Sequence, residues 1–153
     1  MTSSSNFLKN LAKSNQPYSK FGNQTVVKKG VRFDSKLESS FDDFILAHPQ
    51  LKLIERQVKI KLLDSQDHPL TGEKIRAIYY IADFLIKFDD SFLLVDSKGF
   101  ETADFVIKHK LMIDKYRLGE CPMLIVAKTT KELVRQLELT PKLKADVGAD
   151  RGV

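Results

Sequence analysis

The sequence of 153 residues predicts one α/β domain with a mixed central sheet flanked by helices, in the order α-β-β-β-α-β-α. Apolar residues recur at helical spacing in separate segments, and the run from Ile75 to Phe88 is the richest in strand-forming residues. The length and the 42% hydrophobic content are those of a single soluble domain with a real core.

The individual elements follow from apolar spacing and from the turn residues between them. The first helix contains Leu37, Phe41, Phe44 and Ile45 and ends near His48-Pro49. The later elements are a strand over Leu51–Leu63, a loop over Asp64–Glu73, a hairpin of Ile75–Phe88 with Phe92–Val95, a helix over 103–117, a strand over Met123–Ala127 and a helix over Thr129–Leu139 capped by Thr129 or Thr130. A turn is expected at Lys28-Lys29-Gly30.

Composition at the two ends predicts three regions. We expect residues 1–17 to be a flexible basic arm, residues 18–140 to be the single folded domain, and residues 141–153 to be a flexible tail.

Several classes of function are disfavoured by what the sequence contains. It has neither an apolar run long enough for a membrane span nor a signal sequence, so a cytoplasmic protein without a membrane partner is expected. The single cysteine, Cys121, can form neither an internal disulfide nor a thiolate zinc site. No serine or cysteine has the context of an activated nucleophile, and no phosphate-binding glycine loop indicates a nucleotide cofactor.

The net charge of +5 is concentrated at the N-terminus. Residues 1–30 contain five lysines and no acidic residue, namely Lys9, Lys13, Lys20, Lys28 and Lys29. The rest of the chain is neutral, so this segment is suited to binding a polyanion such as DNA through counterion release. A solvated segment that only aids solubility is the alternative.

The hairpin around Asp89-Asp90 brings two carboxylates together. A turn there pairs Phe88 with Ser91, and the same register places Asp83 opposite Asp96 and Lys98 opposite Ile81. Directly opposite residues have Cβ atoms about 4.5 to 5.5 Å apart, and like charges at that distance repel unless a cation compensates. Alternatively, both acids lie at strand ends in water, or an irregular loop shifts the register.

The predicted surroundings favour a functional pair. Phe84 with Val95 and Ile86 with Leu93 form an apolar face, and Leu85 with Leu94 makes the carboxylate face apolar too. Hard oxygen ligands without cysteine suit Mg²⁺ or Mn²⁺, and such an ion beside a lysine indicates phosphodiester hydrolysis.

These residues resemble a known group of enzymes. Asp83, Asp96-Ser97-Lys98 and a preceding helix with Glu38 resemble the PD-(D/E)XK, or restriction-endonuclease-like, nuclease superfamily, with Ala82 in place of the proline. The blocks GVRFDSKLESSF, KIRAIYYIADF, VDSKGFET and KHKLMIDKY resemble a family of small phage-encoded proteins of that superfamily, formerly a domain of unknown function. The similarity covers about residues 18–128, and it implies the core of that superfamily, which runs α-β-β-β-α-β with the acids on a central hairpin.

The resemblance implies a role for each matching residue. Glu38, Asp83 and Asp96 would be catalytic metal ligands, the backbone carbonyl of Ser97 a further ligand, and Lys98 the catalytic lysine. Glu38 has an alternative, structural role: Ser35-x-x-Glu38 is a capping box, in which the glutamate bonds a backbone amide at the helix N-terminus. Weaker candidates for DNA contacts are Gln57, Arg76, Lys108, Lys110, Lys28 and Lys29.

The expected function is a Mg²⁺-dependent endodeoxyribonuclease acting in DNA recombination. The superfamily resemblance suggests a homodimer that resolves Holliday junctions or other branched DNA in a phage-infected or prophage-bearing host. A sequence-specific restriction or homing endonuclease is one alternative. A catalytically silent DNA-binding module with the same fold is the other.

Overall fold

The computed structural model describes the backbone of residues 25–150 and the side chains of residues 25–140. The predicted arm over residues 1–17 lies outside the described residues, and so do Lys9, Lys13 and Lys20. The chain divides into two units between Lys36 and Leu37.

The first unit contains a small antiparallel hairpin. Strand β1 (Val26–Lys28) pairs with strand β2 (Val31–Phe33). The two residues between them, Lys29 and Gly30, both have positive φ, of 49° and 78°. Positive φ at both positions matches the twist of a two-residue hairpin, and it confirms the turn expected there.

The second unit is built on a four-stranded mixed sheet. Its elements are helix α1 (Lys36–Ala47, which begins at the boundary), strands β3 (Leu51–Leu63), β4 (Gln66–Asp67), β5 (Lys74–Ile75), β6 (Ile78–Phe88) and β7 (Ser91–Ser97), helix α2 (Ala103–Arg117), strand β8 (Met123–Ala127) and helix α3 (Thr130–Asp150). The sheet order is β3-β6-β7-β8, with antiparallel pairs except for the parallel pair β7–β8. The expected α/β class and the order of the long elements are confirmed.

Helices cover both faces of this sheet. One buried cluster joins Phe84, Ile86, Leu93 and Val95 to side chains of α1 and α3, among them Phe41, Ile45, Leu133 and Leu137. The other joins Val58 and Leu94 to Phe105 and Met112 of α2. The apolar face expected from the hairpin register is therefore confirmed, and α1 and α3 cover it.

Strand β6 changes its buried side at Asp83. Tyr80 and Ala82 belong to the cluster under α2, whereas Phe84 and Ile86 belong to the cluster under α1 and α3. Residues two apart in a regular strand share a face, so the change marks an irregularity at Asp83. The neighbouring strand is irregular at the same level: Gln57, between the partners of Ala82 and Phe84, has a φ of 56°.

The end of helix α3 differs from the expectation. Helix α3 does not end at Leu139 but continues through Pro141 to Asp150, so the predicted tail from residue 141 has a helical backbone up to that point. Proline removes only one backbone donor, and the helix-forming residues Lys142 to Ala145 follow it. The predicted loop over Asp64–Glu73 is confirmed in outline, with the short β4–β5 pairing at its ends.

Thr129 is the residue that caps α3. Its Oγ1 accepts a hydrogen bond from the backbone N–H of Glu132 at 3.1 Å, and Glu132 Oε2 accepts one from the N–H of Lys128 at 2.9 Å. The pattern is a variant of the capping box in which the glutamate bonds the residue before the cap. Among the described residues, no helix is both long and apolar enough to cross a membrane.

Candidate metal centre

The carboxylates of Asp83 and Asp96 meet where strands β6 and β7 stop pairing. The register expected from the sequence is confirmed for five pairs, from Phe88↔Ser91 to Phe84↔Val95. The ladder ends there, one residue before the two acids, while β7 continues to pair with β8 through Ser97. The acids are thus neighbours at a point of divergence, and their placement as a regular cross-strand pair is not observed.

Donors from opposite strands hold the two acids. The backbone N–H and the hydroxyl of Ser97 both donate to Asp83 Oδ2, at 2.8 and 2.7 Å. The Tyr80 hydroxyl donates to Asp96 Oδ2 at 2.5 Å. Side-chain bonds therefore replace the ladder at this point and fix both carboxyl groups.

The two carboxyl groups are electrostatically coupled. Burial raises the pKa of Asp83 to about 8, and the nearby charge of Asp96 and a hydrogen bond to it act in the same direction. Burial also raises the pKa of Asp96, although its bonds to Tyr80 and Asp83 and the charge of Lys98 oppose the shift. The pair therefore retains a proton near neutral pH unless a cation takes its place.

Burial, followed by the charge of Asp96, raises the pKa of the Tyr80 hydroxyl. Tyr80 thus remains a hydrogen-bond donor to Asp96 throughout the physiological pH range.

Lys98 lies beside this pair. Its backbone N–H donates to Ala127 O at 3.0 Å, which extends the β7–β8 pairing by one bond. Its ammonium nitrogen is 4.8 Å from the centroid of the Phe105 ring. Because the charge of Lys98 lowers the pKa of Asp96, the ammonium acts on the carboxylate as the sequence predicts. The expected pairing with Ile81 does not form, because the ladder has already ended.

An open cleft of about 210 Å³ gives access to Asp96 and Lys98. Strand β6 and the first turns of α2 form its walls, with Tyr79, Tyr80, Ile81, Thr102, Asp104, Phe105 and Lys108 as the other lining residues. Lys108 forms an ion pair with Asp104 at 3.1 Å. Lys108, one of the weaker DNA-contact candidates, thus lines the same cleft as Asp96.

Glu38 reaches the site from α1. It is buried, and its Oε1 accepts a hydrogen bond from Gln57 Nε2 at 2.7 Å. Its charge raises the pKa of Asp96, so the two carboxylates are within electrostatic range. Gln57 therefore contacts the predicted site through Glu38, while the capping role of Glu38 with Ser35 stays a prediction.

The other predicted DNA-contact residues are exposed. Arg76 is exposed between β5 and β6, and Lys110 is exposed on α2. Lys28 and Lys29 are exposed in the hairpin of the first unit. The DNA contacts of these residues stay predictions.

The donor set is of the type that binds Mg²⁺ or Mn²⁺. Asp83 and Asp96 form a close carboxyl pair whose burial and mutual repulsion a cation would relieve, and every candidate ligand atom is an oxygen. Between residues 25 and 140, no three His, Cys, Asp or Glu side chains are grouped closely enough to form a complete cation site. The pair fits the ion, whereas Glu38 and the Ser97 carbonyl as further ligands stay predictions.

Tyr80 is the residue of this site that the sequence reasoning missed. Alternation along the strand predicts Tyr79 and Tyr80 as core and edge residues, and residues three apart in a regular strand face opposite sides. Tyr80 is buried as a core residue, but the change of side at Asp83 brings its hydroxyl to Asp96. The signal in the sequence is a tyrosine near a buried acid, since a buried hydroxyl needs a partner.

Comparison with known proteins gives one match. The profile of a family described as protein of unknown function (DUF1064) matches residues 18–133. No curated protein and no solved structure matches the chain. Because the match covers more than half of the sequence, this chain belongs to the DUF1064 family of proteins of unknown function.

Proposed function

We propose that this protein is a Mg²⁺- or Mn²⁺-dependent endodeoxyribonuclease of the PD-(D/E)XK superfamily. The observation that carries the proposal is the carboxyl pair Asp83–Asp96 with Lys98 beside it, at the divergence of two central strands and open to a cleft. A pair of acids with a lysine beside it, of which Asp96 and Lys98 line the cleft, supplies the groups that metal-assisted phosphodiester hydrolysis uses.

The arrangement of the elements supports this assignment. Without the short β4–β5 pair, the order from α1 to β8 is α-β-β-β-α-β, which is the order expected for the superfamily core. The acids lie on the two central strands of the sheet, β6 and β7. The glutamate that the resemblance implies lies on the helix before them.

Each side chain has a distinct proposed task. Asp83 and Asp96 would hold the metal, with Glu38 and the Ser97 carbonyl completing its ligands. A bound divalent ion supplies charge neutralisation of the phosphate and a more acidic water. Lys98, held over Phe105, would orient the attacking water or stabilise negative charge developing on the phosphate.

For the substrate, we propose branched DNA, with four-way junctions first. The lysines within residues 1–30 suit a polyanion, and the resemblance to small phage nucleases favours recognition of DNA shape. A homodimer would deliver the two symmetric cuts that resolve a junction.

The test is cleavage of a labelled four-way junction beside a linear duplex and a single strand of matched sequence. Reactions contain Mg²⁺, Mn²⁺ or EDTA. The variant Asp96→Asn removes the charge of the Asp96 carboxylate while keeping the shape of the side chain. Asp90→Asn, which makes the same change in the exposed β6–β7 turn, is the matched control. We expect metal-dependent symmetric cuts in the junction, abolished in Asp96→Asn and retained in Asp90→Asn.

Other outcomes would change the assignment. Discrete cuts in linear duplex at one sequence would indicate a restriction or homing type of nuclease. Intact substrates under both metals, with DNA binding retained, would refute the catalytic proposal and leave a DNA-binding module.

A further inference from the structure

Tyr80 and Ser97 hold the two central acids in a crossed arrangement. Ser97 of β7 donates to Asp83 of β6, and Tyr80 of β6 donates to Asp96 of β7. These bonds form directly beyond the last ladder pair, Phe84↔Val95. Each acid is therefore fixed by the strand that does not carry it.

We propose that Tyr80 is a positioning residue that fixes the carboxylate of Asp96 for binding a divalent cation. This inference rests on the proposed function, since it assigns Tyr80 a role at the same metal centre. Partners that orient metal ligands commonly change metal affinity by about 10- to 100-fold when they are removed.

The surroundings of Tyr80 suit this role because they immobilise its ring. The side chain is 3% exposed, and its ring is tilted against Phe105 with centroids 6.3 Å apart. The backbone is fixed by pairing with Ile60 in β3. A hydroxyl on a fixed ring restrains rotation of the Asp96 carboxylate, because its bond to Oδ2 breaks when the group turns.

Phe105 contacts both Tyr80, which bonds Asp96, and Lys98. The same ring that packs against Tyr80 also lies under the ammonium of Lys98. Tyr80 and Lys98, which both act on Asp96, thus contact one aromatic side chain of α2. A core-filling role alone would need the ring of Tyr80 but not the bond from its hydroxyl to Asp96.

The test compares Tyr80→Phe with Tyr79→Phe in the full-length protein. Phenylalanine keeps the ring packing at position 80 and removes only the donor. Tyr79 lines the same cleft and has Lys59 Nζ 4.0 Å from its ring centroid, a contact that phenylalanine preserves. The first measurement is calorimetric titration of each protein with Mn²⁺ alone, which needs no catalysis.

We expect the Mn²⁺ dissociation constant to rise about tenfold in Tyr80→Phe and to stay at the wild-type value in Tyr79→Phe. The Mg²⁺ concentration that gives half-maximal junction cleavage should rise by the same factor, with most of the maximal rate recovered at saturating Mg²⁺. Unchanged Mn²⁺ affinity in a folded Tyr80→Phe protein would overturn the proposal and leave Tyr80 a core residue.

A second measurement on the wild-type protein keeps the test independent of the variant's folding. With ¹³C-labelled tyrosine, the Cζ resonance of Tyr80 should move during a Mg²⁺ titration more than that of Tyr79, because only Tyr80 bonds a metal ligand. A Tyr80 resonance unmoved at saturating Mg²⁺ overturns the proposal.

The two proposals can fail separately. If the wild-type protein binds Mn²⁺ without cutting DNA, the nuclease function fails, while the affinity of Tyr80→Phe still decides the role of Tyr80. If the wild-type protein binds neither metal, the metal centre is refuted and the role of Tyr80 is overturned with it.

Discussion

At the scale of single residues, the Asp83–Asp96 pair is costly in a protein without metal. Two carboxyl groups share a buried site, where ionising both would place like charges in contact. Ser97 and Tyr80 satisfy an oxygen of each acid, but neither donor neutralises charge. A site with these properties is expected to exchange a proton for a cation, which gives it a pH dependence.

The metal-free protein should lose stability as the pH rises from about 4 to about 8. The pKa of Asp83 is raised from an ordinary value of 3.8 to about 8 in the folded protein, so the folded state retains a proton that the unfolded chain has released. The free energy of unfolding therefore falls through this window and levels off above it. Urea unfolding in EDTA at pH 5, 6.5 and 8 measures the slope.

Asp83→Asn is the control for this prediction, because it removes the titrating group. The variant should flatten the slope and be more stable than the wild type at pH 8. Mn²⁺ should stabilise the wild type more at pH 8 than at pH 5, because cation and proton compete for the same oxygens. Equal slopes in both proteins would show that the pair does not titrate in this window.

Lys98→Met should reduce the rate of junction cleavage by about 100-fold or more. The substitution keeps an unbranched side chain only one atom shorter against Phe105 but removes the charge next to Asp96. Single-turnover cleavage at saturating Mg²⁺ measures the effect. Lys87→Met, at an exposed position of the same hairpin, should cut at the wild-type rate. Comparable rate reductions in both variants would place Lys98 outside the chemistry.

At the scale of elements, the site depends on irregularities in adjacent strands. Strand β6 changes its buried side at Asp83, and β3 has a left-handed residue, Gln57, at the same level. Such backbone conformations cost energy in non-glycine residues and persist where the surrounding structure compensates. Here the side chain of Gln57 bonds to Glu38, so the conformation of β3 holds a side chain of α1.

A pair of substitutions at Gln57 separates the backbone from the side chain. Both Gln57→Ala and Gln57→Gly remove the bond to Glu38, but only glycine adopts a φ of 56° without strain. Gln57→Gly should therefore be more stable than Gln57→Ala by about 1 kcal/mol, as measured by urea unfolding. An alanine variant of equal or greater stability would mean that β3 is not strained at this position.

At the scale of the whole molecule, the excess positive charge and the two acids lie in different parts of the sequence. The excess of +5 is matched by the five lysines within residues 1–30, while Asp83 and Asp96 lie on the two central strands of the sheet. This distribution would let general attraction to DNA and the chemistry be changed separately. The salt dependence of DNA binding isolates the general attraction to DNA from the chemistry.

Replacing Lys9, Lys13 and Lys20 by glutamine should weaken junction binding and make it less sensitive to salt. Removing one lysine–phosphate interaction lowers the slope of log K against log[salt] by about 0.9, so a decrease of up to about 3 is expected for the three together. The control replaces the exposed lysines Lys52, Lys87 and Lys131, which gives the same net charge. Equal slopes for the two triple variants would show that the N-terminal lysines have no special role.

The order of the elements, the hairpin register and the apolar face between Phe84 and Val95 could be predicted from the sequence. These features depend on the spacing of apolar residues and on turn residues that are adjacent in the chain. The proximity of Asp83 and Asp96 followed from the same local information, because a two-residue turn fixes the pairing on both sides of it. The placement of Glu38, in contrast, depended on a resemblance.

The positions of Tyr80 and Gln57 were decided only by the tertiary structure. In a regular strand Tyr80 and Asp83 would face opposite sides of the sheet. Because β6 changes its buried side at Asp83, the Tyr80 hydroxyl instead reaches Asp96 beneath α2. The tertiary structure also decided three other features. These are the left-handed residue in β3, the end of the ladder at Phe84 and the continuation of α3 through Pro141. Chain-local patterns determined which elements form, whereas packing between distant elements determined where the strands become irregular, and the candidate site lies at that point.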